Sequence, residues 1–496
     1  MSRLLSLAYK WQVAIIFVIA LFMDILDATI VNVALPTFAR EFDTDSANLE
    51  WVVTAYLLSL AVWIPASGWL GDRFGTKKIF ITALVLFVAG SVLCGEAQSL
   101  NQLIAFRVLQ GIGGGMLTPV GTAMLFRAFP PKERAQASGV LAIPIAIAPA
   151  LGPVLGGVLV DGPGWRWIFR INLFVGIPAI ILALKILREH TEDDPGKFDL
   201  GGFLLSGAGL PFVLYGVSQG PSHGWGDPQV WGTVLVGLVL LTALVFYELR
   251  HPEPLLNFRL FSDRMFRNAN LVSFMSIAGL IGVIFLLPLL LQQLRGLSAT
   301  QSGLTTFPQA IGMALMVRPA AKLYPRIGPR KMLLISMTGT MLVTAAFLLV
   351  DLETSLWLIR SIMFGRGIFF AFAIITFQAA TFATIRPQDT GRASSLQSTN
   401  RQVGSSVGVA LLATILAERM SARLGDLVPT SPEGIDAQVS AFHDAFIAGV
   451  FLAFLGVCAA LLIRDQDAGA AFAGNATRGA PDRGPTAGAA SPIPAD

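Results

Sequence analysis

Charge is scarce in this sequence. Only 13% of its 496 residues are Asp, Glu, Lys or Arg, whereas soluble domains contain about 25%. Hydrophobic residues make up 54% of the chain. This composition excludes an ordinary soluble domain and indicates a polytopic membrane protein. The formal net charge of +4 is also too small to indicate a nucleic-acid partner.

Cysteine and histidine are nearly absent as well. The two cysteines, Cys94 and Cys458, lie in apolar segments without metal-ligand spacing, so a disulfide framework is excluded. The four histidines lie in predicted loops or at the ends of apolar runs. The sequence contains no Gly-x-x-x-x-Gly-Lys-Ser/Thr motif for ATP. We therefore expect no enzyme activity, no metal and no cofactor.

Long apolar runs are abundant, and about fourteen of them approach the roughly 20 residues that a membrane-spanning helix needs. They lie at 11–35, 49–71, 78–97, 101–125, 136–160, 167–187, 200–219, 230–248, 268–292, 303–322, 331–350, 355–382, 395–417 and 443–463. This predicts an all-α polytopic membrane protein with fourteen transmembrane helices.

The basic residues and an internal repeat predict the organisation of these spans. Most loop Lys and Arg residues fall on the side of the N-terminus, which places both termini in the cytoplasm of a multi-pass inner-membrane protein. GWLGDRFGTKKIF after the second span resembles AKLYPRIGPRKML after the tenth. Such a repeat is typical of transporters built from two halves.

The predicted divisions follow from that repeat. They are an N-terminus at 1–10, a six-helix half at 11–190, two additional helices at 200–248, a second half at 268–463, and a disordered tail rich in Ala, Gly and Pro at 464–496.

Two carboxylates lie deep in the first span, and one arginine is their predicted counter-charge. Asp24 and Asp27 are three residues apart, so they share a helical face at a separation of about 4.5 Å along the axis. Arg107 in the fourth span lies at a similar depth, so either acid could pair with it. An acid within a membrane is costly and usually functional. We expect the less well paired acid to exchange protons; a static ion pair is the alternative.

Two further motifs indicate mobile contacts between helices. The loop after the second span predicts a gate on the cytoplasmic side, with Asp72 meeting a helix N-terminus or an arginine. Its candidate residues are Gly68, Asp72, Arg73, Gly75, Lys77 and Lys78. In the fifth span, small residues and prolines predict tight packing and a softened helix. These residues are Pro149, Gly152, Pro153, Gly156 and Gly157.

Other polar residues within the apolar spans are candidates for lining a central cavity. Polar contacts between neighbouring helices explain them equally well. They are Asn32, Gln292, Gln309, Arg366, Gln378 and Arg401.

Five motifs follow one another as they do in a known family. LDATIVNVALP, GWLGDRFGTKKIF, LIAFRVLQG, LGPVLGG and WRWIFRINLFVG resemble the fourteen-helix drug:proton antiporters of the major facilitator superfamily, in particular the EmrB/QacA branch. The resemblance covers roughly residues 11–463. It matches Asp27 with the family's coupling acid, Arg107 with its fourth-helix arginine and Asp72 with its gating acid. Asp24 lies outside the family pattern.

The resemblance implies a proton-coupled multidrug exporter that works by alternating access and contributes to antibiotic resistance. Its expected partners are protons, a lipophilic and often cationic small molecule and membrane lipid, with a periplasmic adaptor protein as a further candidate. A dedicated lipid or metabolite exporter on the same fold is the alternative. A membrane protease is disfavoured because both acids lie on one helix.

Overall fold

The computed structural model describes residues 6–44, 46–425 and 427–467, which form α-helices and no strand. The helices are α1 Tyr9–Glu41, α2 Ser46–Phe74, α3 Thr76–Gly95, α4 Leu100–Ala128, α5 Arg134–Asp161, α6 Trp167–Ile186, α7 Leu200–His223, α8 Pro228–Arg250, α9 Arg264–Leu289, α10 Ala299–Thr306, α11 Pro308–Ile327, α12 Pro329–Ala345, α13 Leu356–Thr381, α14 Thr390–Leu424 and α15 Pro432–Leu461. The predicted all-α class is confirmed.

Local sequence signals mark where many of these helices begin. The side chains of Ser99, Asp199, Asp227, Asp263 and Ser298 each accept a hydrogen bond from a backbone N–H in the first turn of α4, α7, α8, α9 and α10. Such caps satisfy N–H groups that have no partner within the helix. The chain therefore specifies its helix starts locally.

Within the described residues, twelve helices are long and apolar enough to cross a membrane, and a bent thirteenth raises the count by one. The bent helix is α5, whose two parts, Arg134–Pro149 and Val154–Asp161, meet at 44°. The predicted span at 303–322 covers the end of α10 and most of α11, which only Phe307 separates, and Phe307 keeps helical dihedral angles of φ −54° and ψ −35°. Pro308 opens α11 and lacks the N–H that would continue the preceding helix.

Equivalent turns occur in the two copies of the predicted repeat. Gly75 between α2 and α3 has a φ angle of 102°, and Gly328 between α11 and α12 has a φ angle of 82°. These left-handed conformations favour glycine. The backbone N–H of Lys77 donates to Glu189, and that of Arg330 donates to Asp465, both at 2.9 Å. Each carboxylate follows the last helix of its half and stabilises a helix N-terminus.

The helices pack as two groups with α7 and α8 at their edge. Helix α1 packs on α5 and α6, and α4 on α2 and α3, whereas α9, α12 and α14 each pack on α15. The two groups meet where α5 contacts α11 and α13, and where α14 contacts α2 and α4. Helix α7 packs against both α2 and α14. The predicted boundaries of the halves stay a prediction.

The predicted disordered tail stays a prediction except at its first residues. Residues 465–467 form a short helical turn, and Asp465 is fixed there by the Arg330 N–H bond. The remainder of the tail, from 468, lies outside the described residues, as do residues 1–5 of the predicted N-terminal segment.

Candidate functional site

Asp27 lies in a fully satisfied polar network within the first group of helices. Its side chain is 0% exposed and accepts from Arg107 Nη1 at 2.6 Å, from Gln110 Nε2 at 2.9 Å and from Asn172 Nδ2 at 2.8 Å. Arg107 also donates through Nε to the Val52 carbonyl. The predicted depth match between α1 and α4 is therefore confirmed, with Asp27 as the partner. A buried charge pair of this kind needs such additional hydrogen bonds to offset its desolvation.

Asp24 has different partners, so of the two acids that could pair with Arg107 only Asp27 does. Its carboxylate accepts from the Tyr56 hydroxyl at 2.7 Å and from the Thr118 hydroxyl at 3.3 Å. It is partly exposed and lies against α4, where a Cβ added at Gly114 would sit 3.0 Å from Oδ1. Asp27 thus has a bonded cation, whereas Asp24 is bonded only by neutral hydroxyl groups.

Tyr56 connects the two carboxylate sites. Its ring lies 4.1 Å from the Arg107 guanidinium, while its hydroxyl donates to Asp24. A cation over an aromatic face is attracted by the ring quadrupole. A lone tyrosine in an apolar span gives no sequence signal for this position. Asn172 was also missed, although a single amide inside an apolar run could have been noticed.

Arg401 brings a positive charge to the same region from the second group of helices. It lies on α14, is partly exposed and interacts electrostatically with Asp24. Among the described residues it has neither a hydrogen bond nor a salt bridge. Among the predicted cavity residues that the structure describes, it is the one that interacts with Asp24.

Arg366 and Gln309 form a separate polar contact inside the second group. Arg366 is 1% exposed and donates to Gln309 Oε1 at 3.0 Å and to the Gly279 carbonyl at 2.8 Å. No carboxylate pairs with it among the described residues, and its Nε has no partner there. The interpretation of these two residues as helix–helix contacts is therefore favoured over direct cavity lining.

The remaining cavity candidates are dispersed. Gln378 is buried on α13 and bonds Gln397 of α14. Gln292 is exposed in the π-helical turn that follows α9, and Asn32 is exposed on α1 with a bond to its own helix. None of these three contacts Asp24 or Asp27 among the described residues.

The predicted gate loop lies in a network of charges at one end of the bundle. We call this end of the bundle the basic end and define it by Arg73, Lys77, Lys78, Arg127 and Arg330. Asp72 does meet an arginine, as the sequence allowed. Arg127 Nη2 donates to it at 2.9 Å, and the two side chains are only 11% and 6% exposed.

A second acid completes this network, and sequence reasoning missed it. Arg127 donates to Glu192 at 3.0 Å, and the Glu192 backbone N–H donates to the Asp72 carbonyl. Glu192 lies in the irregular segment after α6, where a surface acid gives no pattern. The segment therefore fixes the loop from outside the helices.

The two groups of helices are joined at the basic end. Ser67 bonds Ser395 at 3.0 Å, and Ser394 donates to the Pro119 carbonyl at 2.7 Å. A Cβ added at Gly68 would sit 2.7 Å from the Gly391 carbonyl oxygen, so the predicted close approach is confirmed. The structure is therefore closed at this end.

The glycines of α5 pack on α1. A Cβ added at Gly152 would sit 2.2 Å from Thr29 Oγ1, and one at Gly156 would sit 3.1 Å from Ile30 and Val33. The tight contact predicted for these two residues is confirmed, whereas Gly157 has open space around its Cα. Pro149 ends the first part of bent α5; the side chain of Pro153 lies outside the described residues.

Comparisons with known proteins agree on one family. The family model described as Major Facilitator Superfamily matches residues 17–409. The chain is 38% identical over 406 residues to a multidrug resistance protein B homolog of Mycobacterium tuberculosis, covering 80% of this chain and 75% of the relative. It is 34% identical over 411 residues to the putative multidrug resistance protein MdtD of Pectobacterium carotovorum, covering 83% and 88%.

A solved structure gives the same fold at low sequence identity. The human organic anion transporter MFSD10 has a TM-score of 0.63 to this chain and 17% identity, covering 90% of this chain and 99% of that one. This likeness concerns the fold alone.

Proposed function

Because the chain belongs to the Major Facilitator Superfamily, a family of membrane transporters, we propose that it exports lipophilic small molecules in exchange for protons. Relatives named as multidrug resistance proteins support multidrug efflux. We place the chain in the fourteen-helix EmrB/QacA-like branch, in the cell membrane with both termini in the cytoplasm. The basic end then faces the cytoplasm.

The unequal environments of two neighbouring carboxylates carry this proposal. Asp27 is compensated by a guanidinium and fully enclosed, so its ion pair holds α1 against α4. Asp24 is partly exposed and has only hydroxyl donors. We assign proton uptake to Asp24, since it is partly exposed and has no bonded cation to replace a proton.

Proton uptake at Asp24 would compete with binding of a cationic substrate at the same carboxylate. A substrate entering from the cytoplasm displaces the proton, and a proton entering from the opposite side displaces the substrate. Exchange of this kind lets the proton gradient drive export against a concentration gradient. A one-for-one exchange of a proton for a monovalent cation moves no net charge, so the pH difference drives it, and each pH unit supplies about 1.4 kcal/mol.

The contacts at the basic end supply the alternating access. The network of Asp72, Arg127 and Glu192, together with the close approach of Gly68 to Gly391, keeps the cytoplasmic side closed while the central site faces outward. These contacts must break when the central site opens to the cytoplasm. Two discrete arrangements of packed helices are the usual basis of such a switch.

The test is ethidium transport in proteoliposomes under an imposed pH gradient. We compare wild type with Asp24→Asn, Asp27→Asn and Arg107→Ala, and use Asp161→Asn as the matched control because Asp161 is an exposed acid at the end of α5. We expect wild type and the control to transport the dye. Asp24→Asn should lose gradient-driven transport and bind the dye more weakly, because the carboxylate that pairs with the cation is gone, and each variant's folding is checked by size-exclusion chromatography.

Two results would change the proposal. Full gradient-driven transport by Asp24→Asn would show that the proton binds elsewhere. If folded wild type moves no dye under any gradient, multidrug export is wrong, and the dedicated lipid or metabolite exporter becomes the better proposal.

A further inference from the structure

Helix α14 directs Arg401 toward the acids of α1. Ser394 of this helix donates to the Pro119 carbonyl of α4, so that face of α14 lies on α4. Arg401 follows Ser394 by seven residues, which is about two turns and about 10 Å along the same face. Helical side chains lean toward the helix N-terminus, so the guanidinium extends back along α14 toward the level of Ser394.

Asp24 lies at the matching level on the other side of this contact. Its carboxylate bonds Thr118 and lies against Gly114, which are one and five residues from Pro119 on α4. Helix α4 runs from Ser99 at one end of the bundle toward the basic end, opposite to α14. From the contact between Ser394 and Pro119, lower residue numbers on α4 and higher residue numbers on α14 both lead away from the basic end. The side chains of Asp24 and Arg401 therefore lie at a similar depth.

The two charges interact without contact. Arg401 and Asp24 are electrostatically coupled, but the described residues contain no salt bridge or hydrogen bond between them. No carboxylate among the described residues bonds Arg401, and the nearby Asp27 is occupied by Arg107. Arg366, the other deep cation of the second half, is enclosed with Gln309 and backbone carbonyls. Among the described residues, Asp24 and Arg401 are therefore a negative and a positive group of opposite halves that are not bonded to a group of opposite charge.

The positive charge of Arg401 is permanent, whereas the negative charge of Asp24 is not. An arginine stays protonated in proteins, so Arg401 keeps its charge throughout a transport cycle. Asp24 loses its charge whenever it holds a proton. A ligand with only a cationic group would then face an uncompensated guanidinium, whereas a ligand that also carries an oxyanion can pair with it. Arginine binds carboxylates and phosphates through two parallel N–H bonds.

We propose that the exported substrate is a lipophilic zwitterion whose anionic group, a carboxylate or similar oxyanion, binds Arg401 while its cationic group binds Asp24. This proposal rests on the export function proposed above and narrows its substrate class. Arg401 is thereby a specificity-determining residue, and the cation site alone does not define the substrate.

Two rhodamines test this with a minimal chemical difference. Rhodamine 110 has a free carboxylate beside its cationic ring system, and rhodamine 123 is the methyl ester of the same molecule. We measure binding of each to the purified full-length protein by fluorescence polarisation, and then transport in proteoliposomes. Wild type should bind rhodamine 110 at least tenfold more tightly than rhodamine 123.

The variants separate charge recognition from structure. Arg401→Gln should reduce the affinity ratio to about one, and Arg401→Lys should restore part of it. Arg360→Gln should keep the wild-type ratio, because the Arg360 guanidinium lies 4.8 Å from the ring of Trp357, an exposed residue at the start of α13.

The failures of the two proposals are distinguishable. Equal binding of the two dyes by wild type, or an unchanged ratio in Arg401→Gln, would overturn the zwitterion proposal. An equal loss of affinity for both dyes in Arg401→Gln would overturn it too, because it would indicate a role in conformation alone. Gradient-driven transport of rhodamine 123 in any of these cases would leave the exporter proposal intact.

Discussion

Substitution of Gly68 by alanine should open the basic end, whereas the same change at Gly71 should not. The added Cβ at Gly68 would lie 2.7 Å from both the Gly391 carbonyl oxygen and Ser395 Oγ. A carbon rarely approaches a carbonyl oxygen closer than about 3.3 Å. Because the Gly391 contact is backbone, α2 and α14 must separate.

The magnitude follows from overpacking. An extra methyl group in a packed contact costs about 1–3 kcal/mol. This lowers the ratio of the closed to the open state by about 5- to 150-fold. At Gly71, three residues further along α2, the nearest atom would be Thr76 Cγ2 at 3.5 Å, an ordinary contact. Both changes replace a helical glycine, which by itself favours the helix by about 1 kcal/mol. The difference between the variants therefore isolates the gate contact.

Distances between spin labels measure the opening. Lys132 and Gln388 are exposed, lie on opposite halves at the basic end, and can each be replaced by a labelled cysteine. The background carries Cys94→Ala and Cys458→Ala, so only the introduced thiols react. We expect one short distance in the parent protein and the Gly71 variant, and a second, longer distance in the Gly68 variant. Identical distributions in both variants would refute the assignment of the gate to this contact.

Three further outcomes are expected. Asp27→Asn and Arg107→Gln should each lower the free energy of unfolding in SDS titrations by about 3–5 kcal/mol. The double variant should lose clearly less than the sum of the two single losses, and additive losses would contradict a coupled pair. Tyr56→Phe should slow proton-driven transport, because it removes the hydroxyl bond to Asp24 and keeps the ring beside the Arg107 guanidinium. Tyr56→Leu should lower the free energy of unfolding by about 0.5–2 kcal/mol more than Tyr56→Phe does. Equal stability of the two variants would argue against the ring contact. Arg127→Gln should weaken closure of the basic end by about 1–3 kcal/mol, seen as a longer label distance, and an unchanged distance would remove it from the gate.

Much of the fold was predictable because it depends on local composition. Runs of apolar residues specify helices of membrane length, and the helix starts carry Ser and Asp caps. The internal repeat predicted equivalent turns, and Gly75 and Gly328 indeed adopt the same left-handed conformation. Helix geometry alone also placed Arg107 level with the acids of α1, since depth depends only on residue count and direction.

The sequence by itself thus determined the class of protein, the helices and the depth at which charges lie. Only the tertiary structure decided that Asp27 pairs with Arg107, that Asp24 accepts a hydrogen bond from Tyr56, and that Arg127 pairs with Asp72. The physical reason is that depth is a property of one helix, whereas a partner depends on which faces of separate helices meet. The partner of each charged side chain depends on packing between residues far apart in the chain, and a local sequence pattern does not predict it.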